Sequence, residues 1–129
     1  MKSNKLVIKI NKSVKEVFEF VIDPANTPKW IDFIMQEKAN EWPPKLGTIY
    51  KNKSKDGQWR DLEMTEFEQD RMFVMTSWAS GYNVRYTLNP VSTNVTELEY
   101  YEWMGKGELS ELFTMKPLQK LKSIIEEKE

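Results

Sequence analysis

The stretch GELSELFTMKPLQKLKSIIEEKE, Gly107–Glu129, is the longest helical pattern in the chain. Leu109, Leu112, Phe113 and Met115 form an apolar set before Pro117, and Leu118, Leu121, Ile124 and Ile125 form another after it. Spacings of three and four residues put each set on one face of an α-helix. Pro117 has no amide donor, so the pattern predicts a kink at that point or two successive helices. Two readings follow. Either the helix plugs an ordinary core, or a curved sheet wraps around it and leaves a site between them.

The residues upstream favour a sheet. Thr48–Lys53, Gln58–Phe67, Met72–Trp78, Tyr82–Leu88 and Val95–Trp103 read as strands separated by short turns, among them Asp56-Gly57 and Asn89–Asn94. Closely spaced strands of this kind make an antiparallel meander. Period-two alternation places Tyr82, Val84, Tyr86 and Leu88 on one face, and likewise Thr96, Leu98, Tyr100 and Glu102. Arg60 shares parity with Leu62 and Met64. Met72–Trp78 is apolar on both faces, so its orientation stays open.

At the other end of the chain, Lys5–Ile10 alternates as a half-buried strand, with Leu6, Ile8 and Ile10 together. Ser13 and Glu16 form a capping box, and Val14, Val17, Phe18, Val21 and Ile22 continue as an amphipathic helix. Asp23-Pro24 ends it. Asn26-Thr27-Pro28 starts a second short helix with Thr27 as its cap, and Trp30–Ile34 either extends it or leads into a strand. Pro43-Pro44 marks Asn40–Gly47 as a loop. Gly105-Lys106-Gly107 is a hinge, because the spacing of a phosphate-binding loop is missing. The order is strand, helix, short helix, about six strands, long helix. It predicts an α+β fold, one antiparallel sheet of about seven strands with helices on one face.

Composition narrows the chemistry. The 129 residues predict a single domain, 1–129. Lys and Arg total 19 against 20 Asp and Glu, so neither nucleic acid nor an anionic membrane is expected as partner. No apolar run reaches transmembrane length, and Lys9 interrupts the N-terminal apolar stretch, which argues against a signal peptide and for the cytoplasm. The chain has no Cys and no His, which removes disulfides, thiolate chemistry, histidine triads and Cys/His zinc sites. No carboxylate cluster has calcium-loop spacing, so neither a metal nor a cofactor is expected. Five Trp, five Tyr, six Phe and seven Met are the materials of an adaptable apolar pocket, and equally of a plain core.

Residues 13–30, SVKEVFEFVIDPANTPKW, resemble the opening of the START-related (SRPBCC) superfamily. That group includes polyketide cyclase/dehydrase-like proteins, lipid-transfer domains, the birch pollen allergen fold and heat-shock ATPase activator homologues. The resemblance continues in Leu46-Gly47-Thr48, in Thr65–Glu68, in Arg85–Pro90 and in the final helix through Glu126. It implies a helix-grip fold, in which a curved antiparallel sheet grips the C-terminal helix and a cavity between them takes a small hydrophobic ligand. Leu62, Met64, Tyr82, Val84, Tyr86, Leu98 and Tyr100 would then line the sheet side, and Leu112, Phe113 and Met115 the helix side. The competing reading is that these side chains fill the space at core density.

Glu102 and Arg60 are the candidates for acid–base chemistry. A carboxylate on the apolar concave face would have a raised pKa, whereas one at the sheet rim would sit in water. Arg60 is placed to pair with Glu102, to hold a ligand carboxylate, or to lie at the rim. Trp30 is expected to anchor the short helix on the sheet, and Trp42 to lie over the cavity entrance. Tyr101 and Trp103 fall on the convex face.

Three functions are open. The first is binding, transport or sequestration of a small hydrophobic or aromatic molecule by a monomer or weak dimer. The second is a cyclase or dehydratase using Glu, Arg and Tyr. The third is a protein-interaction module resembling the heat-shock ATPase activators, with an exposed patch around Tyr101 and Trp103 and no usable cavity.

Overall fold

The computed structural model describes residues 3–127. Strand alternation is realised there in one sheet of seven antiparallel strands. These are β1 (Ser3–Ile10), β2 (Ile34–Ala39), β3 (Ile49–Ser54), β4 (Trp59–Glu68), β5 (Met72–Ser77), β6 (Tyr82–Ser92) and β7 (Val95–Met104). The spatial order is β1-β7-β6-β5-β4-β3-β2, a meander from β2 to β7 closed by the N-terminal strand. Helices α1 (Val14–Ile22) and α2 (Thr27–Trp30) lie between β1 and β2, and α3 (Met115–Glu127) follows the sheet. The sheet curls around the helices in the helix-grip arrangement.

The α1 capping box forms as the spacing predicts: the Glu16 amide donates to Ser13 Oγ at 3.2 Å, and the Ser13 amide donates to the Glu16 carboxylate at 3.3 Å. Asp23 ends the helix in an extended conformation, and the freed carbonyl of Ile22 accepts from the Tyr50 hydroxyl at 2.6 Å. That bond fixes the end of α1 to β3. Phe18 sits edge-on to Phe67 and Phe73. Together with Val17, Leu88, Leu98, Leu118 and Leu121 it makes a fully buried core under one end of the sheet.

Four local expectations are corrected. The last helix starts at Met115, not near Gly107, and Pro117 is its third residue rather than a kink. First-turn amides have no intrahelical acceptor, so proline costs nothing there. Leu109, Leu112 and Phe113 keep helical spacing yet belong to an irregular segment, whose backbone is held by side chains of the sheet. Beyond Pro117, Leu118, Leu121 and Ile125 are buried, and α3 packs against β1.

Thr27 is the first residue of α2 rather than its cap; Asn26 holds that position, and the Thr27 hydroxyl goes to Glu37. Trp30–Ile34 does lead into a strand, β2, which the pattern left unplaced. Finally, β6 runs on through Pro90 to Ser92, with a register shift between those residues that accommodates the proline. The open orientation of β5 is resolved: Phe73 and Met75 face the concave side, while Val74 and Thr76 are buried on the other. Thr76 is held there by Thr65 and Asn83.

Candidate functional site

Between the concave face of the sheet and residues 110–113 lies a cavity of about 590 Å³. Val21 of α1 and Thr27 of α2 border it, and its other walls are set by strand register. One cross-strand row runs Met75–Val84–Glu102–Asn4, and the next runs Phe73–Tyr86–Tyr100–Leu6. On the other half of the sheet, Glu37, Asn52 and Arg60 are direct neighbours across β2, β3 and β4.

The wall is aromatic. Phe73 and Tyr86 stack at 4.6 Å, and Tyr100 and Phe113 stack at 4.2 Å. Tyr86 meets Tyr100 edge-on at 5.2 Å, joining the two stacks. Trp30, only 1 % exposed, presses its edge on Tyr86 and Phe113 from behind and does not line the cavity. Its expected role as an anchor between α2 and the sheet describes this packing.

Glu102 is buried, at 2 % exposure, so the rim placement is ruled out. Its charge is met entirely by neutral donors. The Tyr82 hydroxyl donates to Oε1 at 2.7 Å, and the Phe113 amide and Asn4 Nδ2 donate to Oε2 at 2.7 and 2.9 Å. Asn4 also donates to the Phe113 carbonyl at 3.0 Å. The carboxylate therefore supplies the hydrogen bond that a helix would have given Phe113, which explains why this segment is not helical. The Tyr82 and Tyr100 hydroxyls lie 3.2 Å apart. Burial, with the Glu102 charge adding to it, pushes the Tyr82 hydroxyl far above its ordinary pKa; burial does the same to Tyr100 and Tyr86. All three stay protonated donors at any physiological pH.

Glu37 was not singled out from the sequence. It lines the cavity from β2, half-buried, and its Oε1 accepts from the Thr27 hydroxyl at 2.6 Å. Burial pushes its carboxyl up to about 7, against the opposing pull of Thr27 and Asn52. Its charge adds to the burial that raises Tyr50 and Tyr86.

Arg60 lines the mouth but does not reach Glu102. It is held by Ser54 and by Asp56, at 3.4 Å from the latter, with about half of its side chain in solvent. Lys55, Glu111, Leu112 and Phe33 complete the exposed rim.

Of the residues expected to bind ligand, Leu62, Tyr82, Val84, Tyr86, Tyr100, Leu112 and Phe113 line the cavity. Met64 and Leu98 face the same side but are fully buried in the core, and Met115 packs against that core from the start of α3. Parity gives the correct face for Met64 and Leu98 but not the depth at which α1 fills it. Trp42 is exposed in the β2–β3 loop and does not line the cavity, contrary to its expected place over the entrance. Tyr101 and Trp103 are on the convex face, half-buried and stacked on each other at 5.3 Å, with Arg85 over the Tyr101 ring. Among the described residues, no three metal-ligating side chains cluster, and no helix is long and apolar enough to cross a membrane.

No family model and no curated protein sequence matches the chain. Solved structures do. A START superfamily protein from Mycobacterium smegmatis superposes with a TM-score of 0.69 at 13% identity, over 98% of this chain and 95% of that one. The Aha1 dimer from Colwellia psychrerythraea gives 0.69 at 15% identity, over 98% of each chain. DynU16, from the dynemicin biosynthetic locus, gives 0.74 at 18% identity, over 98% of this chain and 48% of that one. At such identities the likeness speaks for the fold alone, and that fold is the helix-grip architecture of the START-related superfamily.

Proposed function

We propose that the chain binds a small hydrophobic or aromatic molecule in the cavity between sheet and C-terminal segment, to carry or sequester it. The observation that carries this reading is the cavity itself. Its volume of about 590 Å³ lies inside the range of about 300–1,000 Å³ typical of small-molecule sites. Its aromatic wall, facing polar groups such as Thr27, Glu37 and Asn52, suits a flat ligand that carries hydrogen-bonding groups. The neighbour from a biosynthetic locus is compatible with a small-molecule partner.

Holding is better supported than a cyclase or dehydratase reaction at Glu102. Both oxygens of that carboxylate already accept from protein donors, its tyrosine neighbours stay protonated, and Arg60 is elsewhere. The interaction-module reading needs a free aromatic patch and no cavity; Tyr101 and Trp103 instead stack on each other on the convex face, and the concave face holds a cavity.

A neutral dye such as N-phenyl-1-naphthylamine tests the reading. Its fluorescence should rise on titration with the protein. Leu62→Trp and Val84→Trp, which fill the cavity, should weaken binding at least about five-fold, since overlap with the ligand removes apolar burial. Val91→Trp, on the exposed end of β6, should leave binding unchanged, with circular dichroism confirming the fold of each variant. A flat titration, or equal binding by all four proteins, would rule the cavity out.

A further inference from the structure

We propose that the preferred ligand is an aromatic molecule carrying a protonated amine, with Glu37 as its counter-charge. This inference rests on the binding reading above and adds the ligand's charge.

The charges of the cavity are one-sided in depth. Its two sheltered ionisable acids are Glu37 and Glu102. Its two cations, Lys55 and Arg60, are both at the exposed mouth, and Arg60 is already engaged by Asp56. An anionic ligand pushed inward would meet carboxylates and the negative faces of aromatic rings. A cation would meet the same groups with the opposite sign, gaining from both.

The two acids are not equivalent. Glu102 has both oxygens bonded, to Tyr82, Asn4 and Phe113. Glu37 accepts from the neutral Thr27 hydroxyl, has the neutral Asn52 amide as its other polar neighbour, and lies on the cavity wall. A carboxylate accepts about four hydrogen bonds, so Glu37 has capacity left for an ammonium donor. Tyr86, in the same lining, is close enough for its hydroxyl to feel the Glu37 charge, and its ring is stacked on Phe73. A ligand amine therefore reaches a carboxylate inside an aromatic-walled space.

Among the described residues, no cation pairs with Glu37 from the elements around it. From α2 come Thr27 and Lys29, and the Lys29 ammonium is bound to Asn26. From β3 come Asn52 and Tyr50, and from β6 comes Tyr86. Arg60 on β4 is two strands away and faces Asp56, while Lys38, next to Glu37 in sequence, lies over the Trp59 ring. The ordinary pKa of such an isolated, sheltered acid rises, and here it sits near neutrality. An incoming ammonium would favour the ionised form, so binding at mildly acidic pH must release a proton.

The test uses three probes of one shape: 2-naphthylmethylammonium, 2-naphthalenemethanol and 2-naphthoate, titrated calorimetrically into the full chain at pH 8. The ammonium should bind at least about ten-fold tighter than the alcohol, and the naphthoate weakest. Glu37→Gln should cost the ammonium about ten-fold and leave the alcohol unchanged. If that variant does not fold, wild-type titrations at pH 6 in buffers of different ionisation enthalpy should show close to one proton released per ammonium bound. Naphthoate binding as tightly as the ammonium, or ammonium affinity indifferent to Glu37→Gln, would overturn the amine assignment while leaving the cavity reading intact. Failure of all three probes would overturn both.

Discussion

Glu102→Ala should destabilise the protein by about 3 kcal/mol, whereas Glu102→Gln should cost about 1 kcal/mol or less. The difference follows from what each change leaves behind. Alanine strands the Phe113 amide and one Asn4 donor, both of which now bond the carboxylate. A buried donor left without a partner costs about 1–3 kcal/mol, and bonds to a charged acceptor are at the strong end. The Tyr82 hydroxyl is less affected, because Tyr100 lies 3.2 Å away and can take its proton. Glutamine, by contrast, can keep an oxygen toward Asn4 and Phe113 and turn its amide nitrogen toward the Tyr82 oxygen. All groups then stay paired. Urea denaturation measures both costs, and hydrogen exchange should show the Phe113 amide losing protection in the alanine variant only. Equal stability of Glu102→Ala and wild type would mean that this carboxylate does not tether the segment before α3.

Glu37→Gln should have the opposite sign and a pH dependence of its own. The folded protein holds the Glu37 proton up to about pH 7, against an ordinary value of 4.5. An acid whose pKa is raised on folding adds stability that is fully present below the unfolded value and is lost as pH rises through the folded one. In wild type this loss should amount to about 2–3 kcal/mol between pH 4.5 and 8, levelling off above that. Glutamine cannot ionise and can still accept from Thr27. The variant should therefore match wild type near pH 4.5 and exceed its stability by about 2–3 kcal/mol at pH 8. Thermal or urea unfolding across that range checks the claim; a difference that stays flat with pH would show that Glu37 is not sheltered. Such a gain on removing a native carboxylate is what a functional group kept at a stability cost produces.

Most of the sheet was legible because its signal is local. Tyr82, Val84 and Tyr86 alternate with Asn83 and Arg85, and period two leaves no choice of face. The same rule placed Glu102 on the concave side. What parity does not contain is depth, and it could not separate Leu98, fully buried in the core, from Tyr100, which lines the cavity. β2 was illegible for a local structural reason. A register shift between Ile34 and Gln36 breaks its alternation, so Met35 is exposed while Ile34 and Glu37 both line the cavity. A signal was available in Glu37, an acid ten residues after Thr27, but only the hydrogen bond between them shows the pairing. The segment before α3 misled because helical spacing was present while the backbone bonds went to Glu102 and Asn4. Long-range capture of one amide outweighs a weak local propensity.

The central claim is that ligand enters between the sheet and residues 110–113. Isotope-filtered NMR on the protein saturated with 2-naphthylmethylammonium tests it most directly. The account predicts nuclear Overhauser contacts from the naphthyl protons to the methyl groups of Val84, Met75 and Leu62, all of which line the cavity. Contacts confined to outward-facing side chains such as Val7, Met35 and Val91, with the concave methyl groups silent, would contradict it.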